Sequence, residues 1–190
     1  MKALTLWEPW ASAIVHGEKR IENRPWKPPA SIRGQRFAIH AGLAYDQQAA
    51  AALAGAGMFD FSELKHRPGH VLGTAVVVGM VVRSDDTLFD ERPVYTPFDV
   101  DHERFGIEFC QQACDFERWD ERWLMDGQYG WLLHGVRALE KPIYARGYQG
   151  LWDIDLAVTI CCGAERVVHP PGGDSGTTRY YVCGECGRAV

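Results

Sequence analysis

LWEPWASAIVHGEKRIENRPW, residues 6–26, surrounds a dense charge cluster with tryptophans and prolines. Its first half, PWASAIVHG, reads as a short helix, with Pro9 near the first turn and Gly17 as its stop. Helical spacing brings Trp10 and Ile14 to one face. Beyond Gly17, the positions Lys19, Ile21 and Asn23 alternate with Arg20, Glu22 and Arg24. An unbroken extended strand puts Lys19 and Glu22 on opposite faces, whereas a bulge changes that. A lysine near a carboxylate and an aromatic ring serves as a phosphate ligand or, when desolvated, as a base. Taken alone, such a cluster is ordinarily a solvated ion-pair network.

The segments that follow are mostly strands. QRFAIHAG alternates Phe37 and Ile39 against Ala38 and His40. YDQQAAAALAGAG carries strong alanine helix propensity. HVLGTAVVVGMVV is the clearest strand, rich in β-branched residues, with Gly73 and Gly79 marking bulges or close approaches. A strand is expected over 129–139, a second from Pro142, and a closing one at LWDIDL. Short strands outnumber helices and no βαβ alternation occurs, which predicts an α+β domain built on a small mixed β-barrel. Residues 84–127 read as a long insertion with one short helix near 108–114.

A chain of 190 residues with 46% hydrophobic and 24% charged residues has an ordinary globular composition, enough for one core. No apolar run is long enough to cross a membrane as a helix, and the N-terminus shows no secretory pattern, so a cytoplasmic protein is expected. The net charge of −5 excludes a uniformly basic nucleic-acid coater. Charge is nevertheless segregated. Residues 16–36 carry six cations against two acids, net +4, and residues 85–126 carry thirteen acids against four arginines, net −9. That asymmetry suits a local basic face on an acidic body.

Six cysteines in a cytosolic chain point to thiols or metal ligands rather than disulfides. VCGECG places Cys183 and Cys186 at the spacing that lets two thiolates converge on one tetrahedral ion. Cys162 and His169 complete a candidate zinc set, with Cys161 as the alternative fourth ligand. A structural zinc would stabilise a ribbon-like tail over 158–190 that is too small for a core of its own. Such a tail is also a candidate contact for a protein partner.

The block from Pro9, Trp10 and Ala11 through Gly17, Lys19, Glu22 and Arg24 resembles the opening of the ASCH family, named for activating signal cointegrator homology. The family pattern is an aromatic-Pro-Trp-Ala segment followed by G-x-K-x-x-E-x-R. FAIHAG, HVLGTAVVVGMV and the closing stretch with Trp131, Pro142, Gly147 and Trp152 fit its later strands, so the resemblance covers about residues 1–157. It implies a PUA-like barrel with a cleft beside the first helix, and RNA, single-stranded nucleic acid or a modified nucleotide as partner. On that reading Lys19, Arg24, Trp7, Trp10, Trp26 and His40 are the ligand-binding candidates. The alternative is a metal-independent hydrolase of RNA or of an N-acylated cytidine, using Lys19 with Glu22. In the amidohydrolase branch the residue three after the lysine is a threonine, and here it is Glu22. The glutamine usual before Pro-Trp is Glu8.

Overall fold

The computed structural model describes residues 1–62, 64, 66–83, 93–113, 115, 119–156, 166–168 and 181–183. Alternating and β-branched segments assemble into one curled, half-barrel sheet. Its strands are β1 (Lys2–Glu8), β2 (Ile21–Arg24), β3 (Arg36–Tyr45), β4 (His70–Arg83), β5 (Pro93–Pro97), β6 (Tyr129–Tyr144) and β7 (Leu151–Asp153). They lie in the order β2-β6-β4-β3-β1-β7, and β5 pairs with the end of β4. All neighbours are antiparallel except β1 and β3. The helices are few and short: α1 (Trp10–Val15), α2 (Gln47–Gly55), α3 (His102–Phe105) and α4 (Ile107–Ala113).

Curling buries both faces of the central strands. In β3, Phe37 and Ile39 join Leu4, Leu6, Ile14 and Trp131 in one apolar cluster, while Ala38 joins Ala3 and Val71 in another. Burial of each large apolar side chain contributes about 1.5–3 kcal/mol. Gly73 and Gly79 do mark close approaches. A Cβ on Gly73 would lie 2.6 Å from the Arg137 carbonyl oxygen, and one on Gly79 would lie 2.9 Å from that of Thr96. The β4–β6 register shifts at both glycines.

Two expectations are corrected. The pair of strands read at 129–139 and from Pro142 is a single strand, β6, with the irregularity absorbed by a register shift. Val71 pairs with Ile143 but Gly73 with Ala138, so Pro142 falls in the unpaired excess, where its missing N–H costs no ladder bond. The acidic region, read as an insertion with one short helix near 108–114, holds that helix as α4 and adds β5, α3 and a 3-10 turn (Glu121–Trp123). Its Val100, Trp119, Trp123 and Leu124 pack with Ile21, Val81 and Leu132 in a third cluster. Among its described residues the acids are exposed, except the half-buried Asp120, while Trp119 and Trp123 are buried in the core.

In the tail, β8 (Arg166–Val168) pairs with β9 (Tyr181–Cys183). Of the candidate zinc ligands, Cys162, His169 and Cys186, with the alternative Cys161, lie outside the described residues, and Cys183 is described only as the backbone end of β9. Among the described residues no three His, Cys, Asp or Glu side chains are grouped to hold a metal, and no helix is long and apolar enough to cross a membrane.

Candidate functional site

Residues 8–24 fold by satisfying their own polar groups. The buried Glu8 carboxylate accepts from the Ser12 backbone N–H at 3.0 Å and the Ser12 hydroxyl at 2.8 Å, closing the start of α1. Burial pushes the Glu8 carboxyl above its usual range, against the Ser12 hydrogen bonds. At the other end, Gly17 is required by contact: a Cβ there would lie 2.6 Å from the Phe59 ring and 2.8 Å from the Ala13 carbonyl oxygen. The Arg20 guanidinium then donates to the carbonyls of Ile14, Gly17 and Lys19 at 2.9–3.0 Å. This gathers the last turn of α1 around one cation.

With Arg20 so engaged, Lys19 turns inward. It precedes β2, so strand alternation does not separate it from Glu22. The Lys19 Nζ donates to the Ile21 carbonyl and to Glu22 Oε2, the latter at 3.1 Å. The Arg24 Nε lies 3.1 Å from Glu22 Oε1, so one carboxylate bridges two cations. Exposure of the Lys19 and Glu22 side chains is only 2% and 8%. Burial pulls the Lys19 ammonium below its usual range, and Glu22 opposes that shift. The Nζ also lies 5.9 Å from the ring centroids of both Trp10 and Trp123.

Trp123 comes from the acidic region, and a single side chain holds it in register. Asn23 Nδ2 donates to the Trp123 carbonyl at 2.8 Å, and Asn23 Oδ1 accepts from the Met125 N–H at 2.9 Å. The amide thus imitates a strand partner for residues 123–125. Together with Leu53 and Met58 beyond α1, these elements enclose a cavity of about 170 Å³. Trp10, Lys19, Glu22, Asn23, Trp123 and Met125 line it, and Arg122 stands at its rim. The Arg122 guanidinium is held by Asp120 at 2.7 Å.

Of the residues singled out from sequence, Lys19, Glu22 and Trp10 meet in this cavity, and Arg24 supports it through Glu22. The other three stand elsewhere. Trp7 is 61% exposed on the outside of β1. Trp26 packs edge-on against Trp131 at 4.7 Å and accepts its indole N–H through the backbone carbonyl. His40 is buried, its Nε2 2.9 Å from the Ala145 carbonyl oxygen and its ring edge-on to Trp152. Burial lowers its pKa. Asn23, Leu53, Met58, Arg122, Trp123 and Met125 were not anticipated. The available signal was WDERWLMD, residues 119–126, whose large apolar residues sit at odds with its charge.

A curled mixed sheet with G-x-K-x-x-E-x-R running from the end of its first helix into its edge strand is a PUA-like domain. The chain belongs to the ASCH domain family, which matches residues 4–143. No curated protein matches it. Among solved structures it is similar to the ASCH protein of Zymomonas mobilis, at 20% identity over 82% of this chain and 88% of that one, with a TM-score of 0.41. A mutant form of that protein gives 19% identity, the same coverage and a TM-score of 0.40.

Proposed function

We propose that the protein binds a nucleotide, free or within single-stranded RNA, by taking its base into the cavity between Trp10 and Trp123. The observation that carries this reading is a ring-sized, largely apolar cavity with a buried cation at its wall. A cavity of about 150 Å³ is sufficient for benzene, so 170 Å³ suits one pyrimidine-sized ring. Two of the three Lys19 N–H donors are committed to Ile21 and Glu22, leaving one for a base carbonyl. Membership in a family that binds nucleic acid in general supports the same ligand class.

Titration with uridine or cytidine monophosphate, followed by tryptophan emission, tests this reading. Quenching that saturates, and that weakens in Lys19→Met, is expected. Unchanged emission up to millimolar nucleotide overturns it.

The desolvated amine favours a second reading, a metal-independent hydrolase of RNA or of an N-acylated cytidine. Lys19 would be the base and Glu22 its partner. Glu22 opposes the burial that lowers the Lys19 pKa and so favours the charged form, and we rank binding ahead of catalysis on that ion pair. Equal turnover by Lys19→Ala and the unaltered protein would exclude a lysine-centred mechanism.

A further inference from the structure

The band of exposed aromatic residues at the far end of the sheet is unaccounted for by the cavity. Leu43 and Tyr45 project from the end of β3 with exposures of 82% and 43%, and Tyr144 and Tyr148 from the end of β6 and the turn after it with 60% and 55%. The sheet register brings them together. Ala41 pairs with His70, and His70 pairs with Tyr144. A Cβ on Gly69 would lie 3.4 Å from the Tyr144 ring and 3.8 Å from Leu43, so these two side chains flank a bare backbone position. Gly69 has a φ of +71°, a conformation glycine adopts without strain. Tyr45 contacts the rings of Phe61 and His66 at 5.4 and 5.7 Å. Phe61 in turn reaches Phe59 at 6.4 Å, beside Met58 of the cavity wall. The rings therefore form a trail that starts next to the cavity.

The charge on this band runs against that of the chain. Its segments 43–45, 66–70 and 144–150 hold Arg67, Arg146, His66 and His70 and no acidic residue, in a protein of net charge −5, while Asp46 next to Tyr45 caps α2 and Asp60 lies between Phe59 and Phe61 at the cavity end. The Arg146 guanidinium lies 5.8 Å from the Tyr148 ring centroid. Stacking faces interleaved with cations are complementary to a polyanion that carries bases. An anionic lipid surface or an acidic protein shares that charge preference, but neither accounts for rings that lead to a base-sized cavity.

We infer that this band is the track for single-stranded RNA, with bases stacking on Tyr45, Tyr144 and Tyr148 and phosphates meeting Arg67 and Arg146. The inference rests on the nucleotide-binding reading and extends it to the strand beyond the cavity.

The test compares a labelled oligouridylate with uridine monophosphate as probes of the full chain. The variants are Tyr144→Ala, Tyr148→Ala, Tyr144→Phe and Arg146→Gln. Each alanine variant should weaken oligonucleotide binding on the order of tenfold. Tyr144→Phe, which keeps the stacking face, should restore it. Arg146→Gln should lower the slope of log affinity against log salt by about 0.7. Mononucleotide quenching should be unchanged in all four, which also reports an intact fold. Oligonucleotide binding that is absent from the unaltered protein, or equal in the alanine variants, overturns the track. A self-association or vesicle binding that the alanine variants abolish, with RNA binding unaltered, overturns it too. Loss of mononucleotide binding by the unaltered protein is the separate failure of the cavity reading.

Discussion

Lys19 Nζ lies 3.1 Å from Glu22 Oε2, with both side chains almost wholly withdrawn from water. The carboxylate also holds Arg24, so its removal and that of the lysine are not equivalent. Glu22→Gln strands two cations and should destabilise the fold by about 3–5 kcal/mol. Lys19→Met leaves Glu22 paired with Arg24 and should cost less. Urea denaturation of the two variants checks the order, and the reverse order would mean that Arg24 does not compensate.

The Asn23 amide is the clamp that registers the cavity wall. Asn23→Ala leaves the Trp123 carbonyl and the Met125 N–H without that partner, a loss of about 1–3 kcal/mol where such groups are buried. Asn23→Asp keeps an acceptor for Met125 but turns a carboxylate oxygen toward the Trp123 carbonyl. Both should blue- or red-shift tryptophan emission and weaken nucleotide quenching. Emission and quenching that match the unaltered protein would show that residues 123–125 are held by other contacts.

Glu8 is buried with a raised pKa, so the folded state holds its proton to higher pH than the unfolded chain does. Between the ordinary carboxyl value of 4.5 and the raised one, the folded form binds more protons. Its stability therefore falls as pH rises through that window. Glu8→Gln keeps an acceptor for Ser12 and removes the ionisation. It should be the more stable protein at pH 7, with the advantage vanishing below the unfolded carboxyl pKa. Thermal melts across that range decide it, and a constant difference at all pH values would count against the linkage.

Gly130 sits where the acidic region packs on the sheet. A Cβ there would lie 2.6 Å from Ile21 Cγ2, 2.7 Å from Val81 Cγ1 and 2.8 Å from Leu124 Cδ1. Gly130→Ala should cost about 1–3 kcal/mol through overpacking. It should also shift Leu124 and with it the cavity wall, so stability and nucleotide quenching are expected to fall together.

The cysteine spacing of the tail rests on sequence alone and predicts one structural zinc per chain. Metal analysis of purified protein should find one equivalent, lost in Cys183→Ser and Cys186→Ser. Protein without zinc under reducing conditions would remove the ribbon reading.

Local rules were legible wherever neighbours in sequence decide the outcome. Pro9 and Gly17 bound α1, and the alternation of Phe37 and Ile39 against Ala38 and His40 separates two apolar clusters. Lys19 and Glu22 resisted the same treatment. Alternation puts them on opposite faces only if the strand has begun, and Arg20 holding three carbonyls delays its start to Ile21. Trp123 was illegible for a different reason: its partner Asn23 is a hundred residues away.

By itself, then, the sequence determined the ASCH motif, the strand-rich composition, the bounds of α1 and the separation of basic and acidic regions. These depend on short-range sterics, capping and periodicity. Only the tertiary structure decided that Trp123 joins Trp10 beside Lys19, that an acidic stretch forms a cavity wall, and that Trp26 packs on Trp131 and His40 is buried. Those outcomes follow from long-range burial and from satisfying buried polar groups, and both require the sheet to have curled.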